Sequence, residues 1–511
     1  MRVLVVGFDG ATWELLSRYA QDGTMPRLGD LCGKSKWGVL KSTIPPVTGP
    51  AWAALSTGKG PGKTGIYSFY VATDSIDRFR PTTSLDVKAE TLPELLERAG
   101  LAVQVVNLPT FSFPRKIRGP VLGDVLCPPT DTVQPASLRS REPFRSYRSF
   151  PNLSLKRDTL GYLDDIRGLE DVRFRCAKEL FLSKWDFMFV MFSGVDWMQH
   201  ELYSDLLSGK ATRGASLARE IYRDLDGYLD WFASSLGPED YLFLVSDHGF
   251  KSYSGGFSIN HWLAENGYLH TKPGPVGISR LSHGLPFAVP SGVLSAVARH
   301  RRLWEAGTRA WAAASGTSSR SEGMKPDPST SLAASQDFTL GIRLNTKRRF
   351  RNGVLDEERE RKVAGEIRSK LEGLAKRGII SGCLPAAEVY KGPYVSQAPE
   401  LVVFPGERGI GGYSRTVLSE GPQNGHSMEG IYLMRGAGVE PGKGEEASIC
   451  DIAPTVLTLF GLEVPDDMDG VSLWGSPKIR GSGVGSSVPG PTLTQADEKL
   501  IEERLKSLGY V

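Results

Sequence analysis

The chain has 511 residues, 40% of them hydrophobic and 23% charged. That is the profile of a globular protein, with room for one large α/β domain carrying insertions or for about two or three domains. Lys and Arg total 61 against 58 Asp and Glu, so the formal net charge is only +3 and a nucleic-acid polymer is not expected as a partner. Cys32, Cys127, Cys176, Cys383 and Cys450 are scattered without a CxxC pair, which argues against both a thiolate zinc site and a disulfide framework. The opening MRVLVVGFDG is too short an apolar run for a signal peptide, and no apolar run reaches the roughly 18 residues of a membrane span. A cytoplasmic protein without a span is the expectation, with the oligomeric state left open.

In chain order, Val3 to Phe8 is a continuous apolar run that stops at Asp9-Gly10. Such a run reads as a strand buried on both faces. The stretch PPVTGPAWAALSTGKGPGKTG follows at residues 45–65. Its end imitates a phosphate-cradling P-loop, but counting back from Gly62-Lys63-Thr64 puts Thr57 where the first glycine belongs. Its first half reads instead as an N-cap at Thr48, an early Pro50, and a helix closed by Gly58. A hydroxyl there sits in the positive field of a helix N-terminus, which favours an alkoxide and binds anions.

Trp185 to Phe192 ends at Ser193-Gly194-Val195-Asp196, a helical pattern covers Ala215 to Ser235, and Tyr241 to Val245 ends at Ser246-Asp247-His248-Gly249. Strands alternating with helices predict a mainly parallel sheet covered by helices on both faces. Ligands then bind beyond the carboxyl ends of the strands, and three strands each deliver an acidic residue there. Residues 271–330 break the rhythm and read either as an inserted cap, with a helix around Val293 to Ala314 and the cations Arg299, Arg301 and Arg302, or as solvated decoration. Gly341 to Asn345 reads as a strand and Glu357 to Lys376 as a charged helix. Residues 476–495 read as a Gly/Ser/Pro linker, followed by a terminal helix with Leu500, Ile501, Leu505 and Leu508 on one face. Asn260, Asp451 and Asp469 read as caps and turns.

Only seven histidines occur in the chain. His248 adjoins Asp247, His200 lies one helical turn from Asp196, and His426 sits in NGHSMEG, read as a glycine-bracketed turn. Mixed carboxylate and imidazole ligands suit zinc or manganese.

The series VVGFDGATWELL, PPVTGPAWAALSTGKGPGKTGI, SGVDWMQH, SDHGF, YKGPYVSQAPELVV, GHSMEGIYLMRG and DIAPTVLTLFGLEVPDDMDG resembles the alkaline phosphatase superfamily, in particular its type I phosphodiesterase and nucleotide pyrophosphatase branch. The resemblance implies an α/β core of alkaline-phosphatase type at 1–270 and 331–475, an inserted cap at 271–330, and a linker and C-terminal helix at 476–511. It implies two divalent ions, Zn or Mn. One would be held by Asp9, Thr48, Asp247 and His248, the other by Asp196, His200 and His426. Thr48 would be the nucleophile, transiently phosphorylated, and the substrate a small phosphorylated molecule.

Two departures stand out. Nucleotide pyrophosphatases carry an asparagine downstream of the nucleophile, and none lies near Thr48, which counts against a nucleotide substrate. Relatives often have His before the Gly-Ile of the loop that follows the helix, where this chain has Thr64, read as structural. Separately, no Arg follows Thr48 at the offset that sulfatases use, which argues against a sulfatase. The surroundings of Thr48 are apolar, with Trp52 as a candidate stacking wall and Lys59 and Lys63 as candidates for the pocket mouth, an environment that favours a diester over a monoester. A phosphomutase of the same superfamily and a non-catalytic metal-binding protein are the rival readings.

Overall fold

The computed structural model describes residues 1–112, 117–127, 132–271, 324–336, 339–411, 416–475, 480–481 and 495–508. Most of the expected cap, including its helix and its arginine cluster, and most of the expected linker lie outside these residues.

A ten-stranded sheet organises the chain. At its centre Val3–Phe8 pairs in parallel with Phe187–Phe192 on one side and Tyr241–Val245 on the other. Val103–Val106 continues the parallel order beyond Phe187–Phe192. Every residue of these four strands is buried, the state that near-continuous apolar runs require, with Gln104 the one side-chain amide among them. The alternation of the first strand divides the core in two. Leu4, Val6 and Phe8 point into one cluster with Leu15, Leu169 and Ile221. Val3 and Val5 point into the other with Trp52, Leu95 and Val456. Helices Trp13–Gln21, Thr159–Phe181 and Arg213–Ser235 therefore cover one face, and helices Thr48–Thr57, Leu92–Arg98 and Ile452–Leu459 the other. The mainly parallel sheet between helices is the predicted fold.

Registers place the site. Gly7 lies opposite both Met191 and Val245, so the three central strands end level and their following residues emerge at one edge. Glu429–Arg435 runs antiparallel to Tyr241–Val245 and starts at that edge. The segment before it, Leu418–Ser427, is a strand paired with Gly249–Phe257, with His426 opposite Phe250. His426 thus sits in a ladder and not in a turn. Gly425 permits this: a Cβ there would lie 3.2 Å from the Tyr253 ring, whose hydroxyl donates to His426 O at 2.8 Å.

A separate four-stranded sheet, Ala333–Ser335, Gly341–Leu344, Leu401–Pro405 and Ile380–Pro385, carries the helix Glu357–Ala375. Asn260 pins to it through bonds of 2.7 and 2.8 Å with Ser335, and Asp451 closes a capping box with Ser448, both structural roles. The C-terminal helix Gln495–Leu508 docks on the main core through Ile501 and Leu505, while Leu500 stays exposed. Among the described residues no helix is long and apolar enough to cross a membrane.

Candidate active site

Thr48 is the first residue of its helix, and Val47 takes the cap position without a side-chain bond. The helix thus starts one residue earlier than expected, with Val47 and not Thr48 as its cap, and the shift matters chemically. A capping hydroxyl would be spent on a backbone N–H, whereas Thr48 Oγ1 instead lies 3.4 Å from His248 Nε2.

The carboxyl ends of the central strands supply the remaining groups. Asp9 Oδ1 is 3.6 Å and Asp247 Oδ2 is 3.4 Å from His248 Nε2. All three side chains are buried. His248 Nδ1 lies 3.1 Å from the carbonyl of Gly249. A carbonyl can only accept, so the ring proton is on Nδ1 and Nε2 presents a bare lone pair. Beside this group, Asp196 Oδ1 is 3.4 Å from His200 Nε2 and 3.2 Å from His426 Nε2. The two Nε2 atoms are 3.0 Å apart. His426 Nδ1 donates to Pro46 O at 2.9 Å, which turns Nε2 toward Asp196 and His200. The His248 and His426 rings stack with centroids 3.8 Å apart, so the two groups adjoin.

The electrostatics of the two groups differ. Burial, then the charges of Asp247 and Asp196, push the Asp9 carboxyl well above the usual range. Burial pushes Asp247 up to about 7 and holds His248 well below the ordinary imidazole value. Burial would also raise Asp196, but His200 and His426 outweigh it and pull Asp196 well below. Three buried carboxylates crowded together are costly as anions. Among the described residues, Asp9 Oδ1 and Asp247 Oδ2 have no hydrogen-bond partner. Unpartnered buried oxygens beside bare imidazole nitrogens are the donor set that a divalent cation requires. The triads Asp9, Asp247, His248 and Asp196, His248, His426 each keep their ligand atoms within 4.8 Å of one another. The residues present fit metal ions.

Three expected substrate contacts need correction. Trp52 is fully buried and packs edge-on against Phe189, with ring centroids 5.5 Å apart; it supports the first strand and cannot form a wall of the pocket. Lys59 is paired with Asp467 at 2.5 Å and Lys63 with Asp469 at 2.5 Å, so both fasten the GKGPGKTG loop to the 467–469 turn. The space beside the site is lined differently. A small cavity against Thr48 and Asp9 is bounded by Phe69, Asn107, Asp124 and Ser193. A groove beside His200 and His426 is bounded by Pro45, Pro46, Val47, Tyr253, Leu340 and Ile410. Asn107, Asp124 and Ser193 escape a reading of the sequence alone. The available signal was position: Asn107 and Ser193 each directly follow an apolar run at the carboxyl edge of the sheet.

A parallel sheet between two helical layers, with this cluster at its carboxyl edge, is an alkaline-phosphatase-like fold. The chain superposes on the alkaline phosphatase PafA with a TM-score of 0.54 and 14% identity, over 92% of this chain and 98% of that one. It superposes on phosphonoacetate hydrolase from Sinorhizobium meliloti 1021, in complex with phosphonoformate, with a TM-score of 0.51 and 15% identity, over 89% and 94% of the two chains. A comparison with curated proteins found no match. The family model described as type I phosphodiesterase / nucleotide pyrophosphatase matches residues 3–315, more than half of the chain. The protein belongs to this family, and it is a hydrolase acting on phosphoric ester bonds.

Proposed function

We propose that the protein is a metal-dependent phosphodiesterase that works through a phosphothreonine at Thr48. The observation that carries this reading is the convergence of the Thr48 hydroxyl, Asp9 and Asp247 on His248 Nε2, with Asp196, His200 and His426 alongside. Asp9, Thr48, Asp247 and His248 would hold one divalent cation, and Asp196, His200 and His426 a second. When bound, such a pair supplies Lewis-acid charge that favours the threonine alkoxide and offsets charge on the departing oxygen.

The chain's own part is nucleophilic and positional. Thr48 Oγ1 gives up its proton to solvent and bonds to phosphorus while the first ester bond breaks and its leaving group departs with the bonding pair, so the phosphothreonine keeps the second ester substituent. Water then attacks the phosphothreonine, the Oγ1–P bond breaks, and the hydroxyl is restored as a phosphomonoester leaves. The Gly249 and Pro46 carbonyls fix the tautomers of His248 and His426 throughout.

The preference for a diester rests on charge and shape. A monoester dianion needs an extra cation, yet among the described residues no Arg or Lys lines the cavity or the groove. The groove walls of Pro45, Pro46, Val47 and Ile410 suit an uncharged second ester substituent. They replace Trp52 in that role.

The test compares kcat/KM for a bis-aryl phosphate diester and its monoester, with one leaving group, in Zn- and Mn-loaded protein. The diester should lead, Thr48→Ala should abolish turnover, and a quenched reaction should carry the aryl phosphoryl group, with its second ester substituent retained, on Thr48. A monoester advantage of about tenfold, or about 1.4 kcal/mol, overturns the diester preference. Turnover by Thr48→Ala at the wild-type rate overturns the mechanism.

A further inference from the structure

The cavity lined by Thr48, Asp9, Asn107, Asp124 and Ser193 adjoins the nucleophile, and a phosphoryl group on Thr48 Oγ1 that occupies it would place non-bridging oxygens there. These oxygens carry negative charge and need hydrogen-bond donors. Most of the polar lining cannot donate. Asp9 would be engaged as a metal ligand, and Asp124 accepts from Leu126 N at 2.7 Å. The Asn107 amide nitrogen has two protons, and both are spent: it donates to Met191 O at 3.1 Å and to Ser193 Oγ at 2.9 Å.

Ser193 is different. It sits between the end of the strand Phe187–Phe192 and the helix Gly194–Leu207, is only 4% exposed, and lines the cavity together with Thr48 and Asp9. Its oxygen receives the Asn107 proton, which occupies a lone pair. Its own proton finds no acceptor among the described residues. A hydroxyl that accepts on one side and has an uncommitted proton on the other is a donor waiting for an acceptor.

Asn107 is built to hold it there. Its φ of 62° lies in the left-handed region, which few residues other than glycine adopt and which asparagine tolerates better than most. Its backbone N–H donates to Leu122 O at 2.8 Å, and its side chain is buried. Strained backbone fixed from several sides is typical of groups held for function.

We infer that the Ser193 hydroxyl donates a hydrogen bond to a non-bridging oxygen of the substrate's phosphoryl group, with Asn107 as the positioning residue that aims it. The inference rests on the reading of Thr48 as the nucleophile. It assigns to this chain a phosphoryl-oxygen contact made by a neutral hydroxyl, in keeping with a singly charged diester.

The experiment uses Ser193→Ala in the metal-loaded full chain, with a chiral aryl methyl phosphorothioate diester offered as separate Rp and Sp isomers. Sulfur is a poor hydrogen-bond acceptor, so wild type should discriminate against the isomer that presents sulfur to Ser193. Ser193→Ala should lose about 10²-fold in kcat/KM on the oxygen diester, the usual effect of removing one such donor. Its Rp/Sp ratio should move toward unity by fivefold or more, and its inhibition by orthovanadate should weaken in parallel. Metal content by elemental analysis should be unchanged. A variant within threefold of wild type overturns the inference, as does a fall in rate with an unaltered Rp/Sp ratio, which would mark a structural role. Those outcomes leave the phosphodiesterase reading intact. A wild-type protein inert toward the oxygen diester and both isomers overturns that reading and this inference with it.

Discussion

Replacing Trp52 by alanine separates a side chain that supports the sheet from one that contacts substrate. Trp52 is the largest fully buried side chain among the described residues. It packs with Val3, Val5, Phe189 and Met191 on one face of the central strands, and its ring closes so tightly on the first strand that a Cβ at Gly7 would lie 2.6 Å from it. A buried tryptophan removes about 150–250 Å² from water. At about 25 cal/mol per Å² this is worth about 4–6 kcal/mol, of which alanine recovers a minor part. Measured truncations of buried aromatic residues cost about 3–5 kcal/mol, so about 4 kcal/mol is expected for Trp52→Ala. Equilibrium urea unfolding should show this as a lower midpoint with little change in slope. The same contact predicts that Gly7→Ala costs about 1–3 kcal/mol through overpacking, and that the cost shrinks in a Trp52→Phe background, where the clashing ring edge is gone. A Trp52→Ala protein within about 0.5 kcal/mol of wild type with a raised KM would refute the argument and return the indole to the substrate pocket.

The other predictions concern the buried ion pair, the metals and pH. Arg173 and Glu170 are both buried and paired, and Glu170 also accepts from the Gly194 N–H at the start of the helix that carries Asp196 and His200. Arg173→Met leaves that carboxylate uncompensated and should cost about 3–5 kcal/mol; a wild-type unfolding midpoint would contradict this. Because the proposed ligands converge only in the folded state, chelation should lower Tm and metal reloading should restore it. His426→Ala should reduce bound metal by elemental analysis, and unchanged stoichiometry would remove His426 from the ligand set. Asp240 accepts from the Arg2 backbone and guanidinium. Burial opposes ionisation there, but these bonds prevail and hold its pKa below the ordinary value. Its contribution is complete above the unfolded carboxylate value of about 3.9 and is lost as pH falls through the lower folded value. Asp240→Asn should therefore lower Tm near neutral pH and flatten the acid limb of the Tm–pH profile, and a profile unchanged in shape would count against this bridge.

The sequence by itself determined the sheet and where its site must lie. Val3–Phe8 and Tyr241–Val245 are strands over the residues their apolar runs predict, because a strand buried on both faces needs an uninterrupted apolar run and little else. The carboxyl ends of parallel strands converge by topology, so Asp9, Asp196, Asp247 and His248 were readable as neighbours before any contact was seen. Direction within a buried element was not readable. All ten residues of the Thr48–Thr57 helix are buried, so no polar stripe distinguishes its core face from its site face, and only packing on Phe189 turns Trp52 inward while Thr48 Oγ1 meets His248. Partnership across the chain was equally hidden. Lys59 and Lys63 look free until the fold brings up Asp467 and Asp469, some 400 residues away in sequence. Asn107 and Ser193, 86 residues apart, become a dyad only because the strands preceding them lie side by side. Such pairings depend on which surfaces bury one another, and that is settled by the tertiary structure.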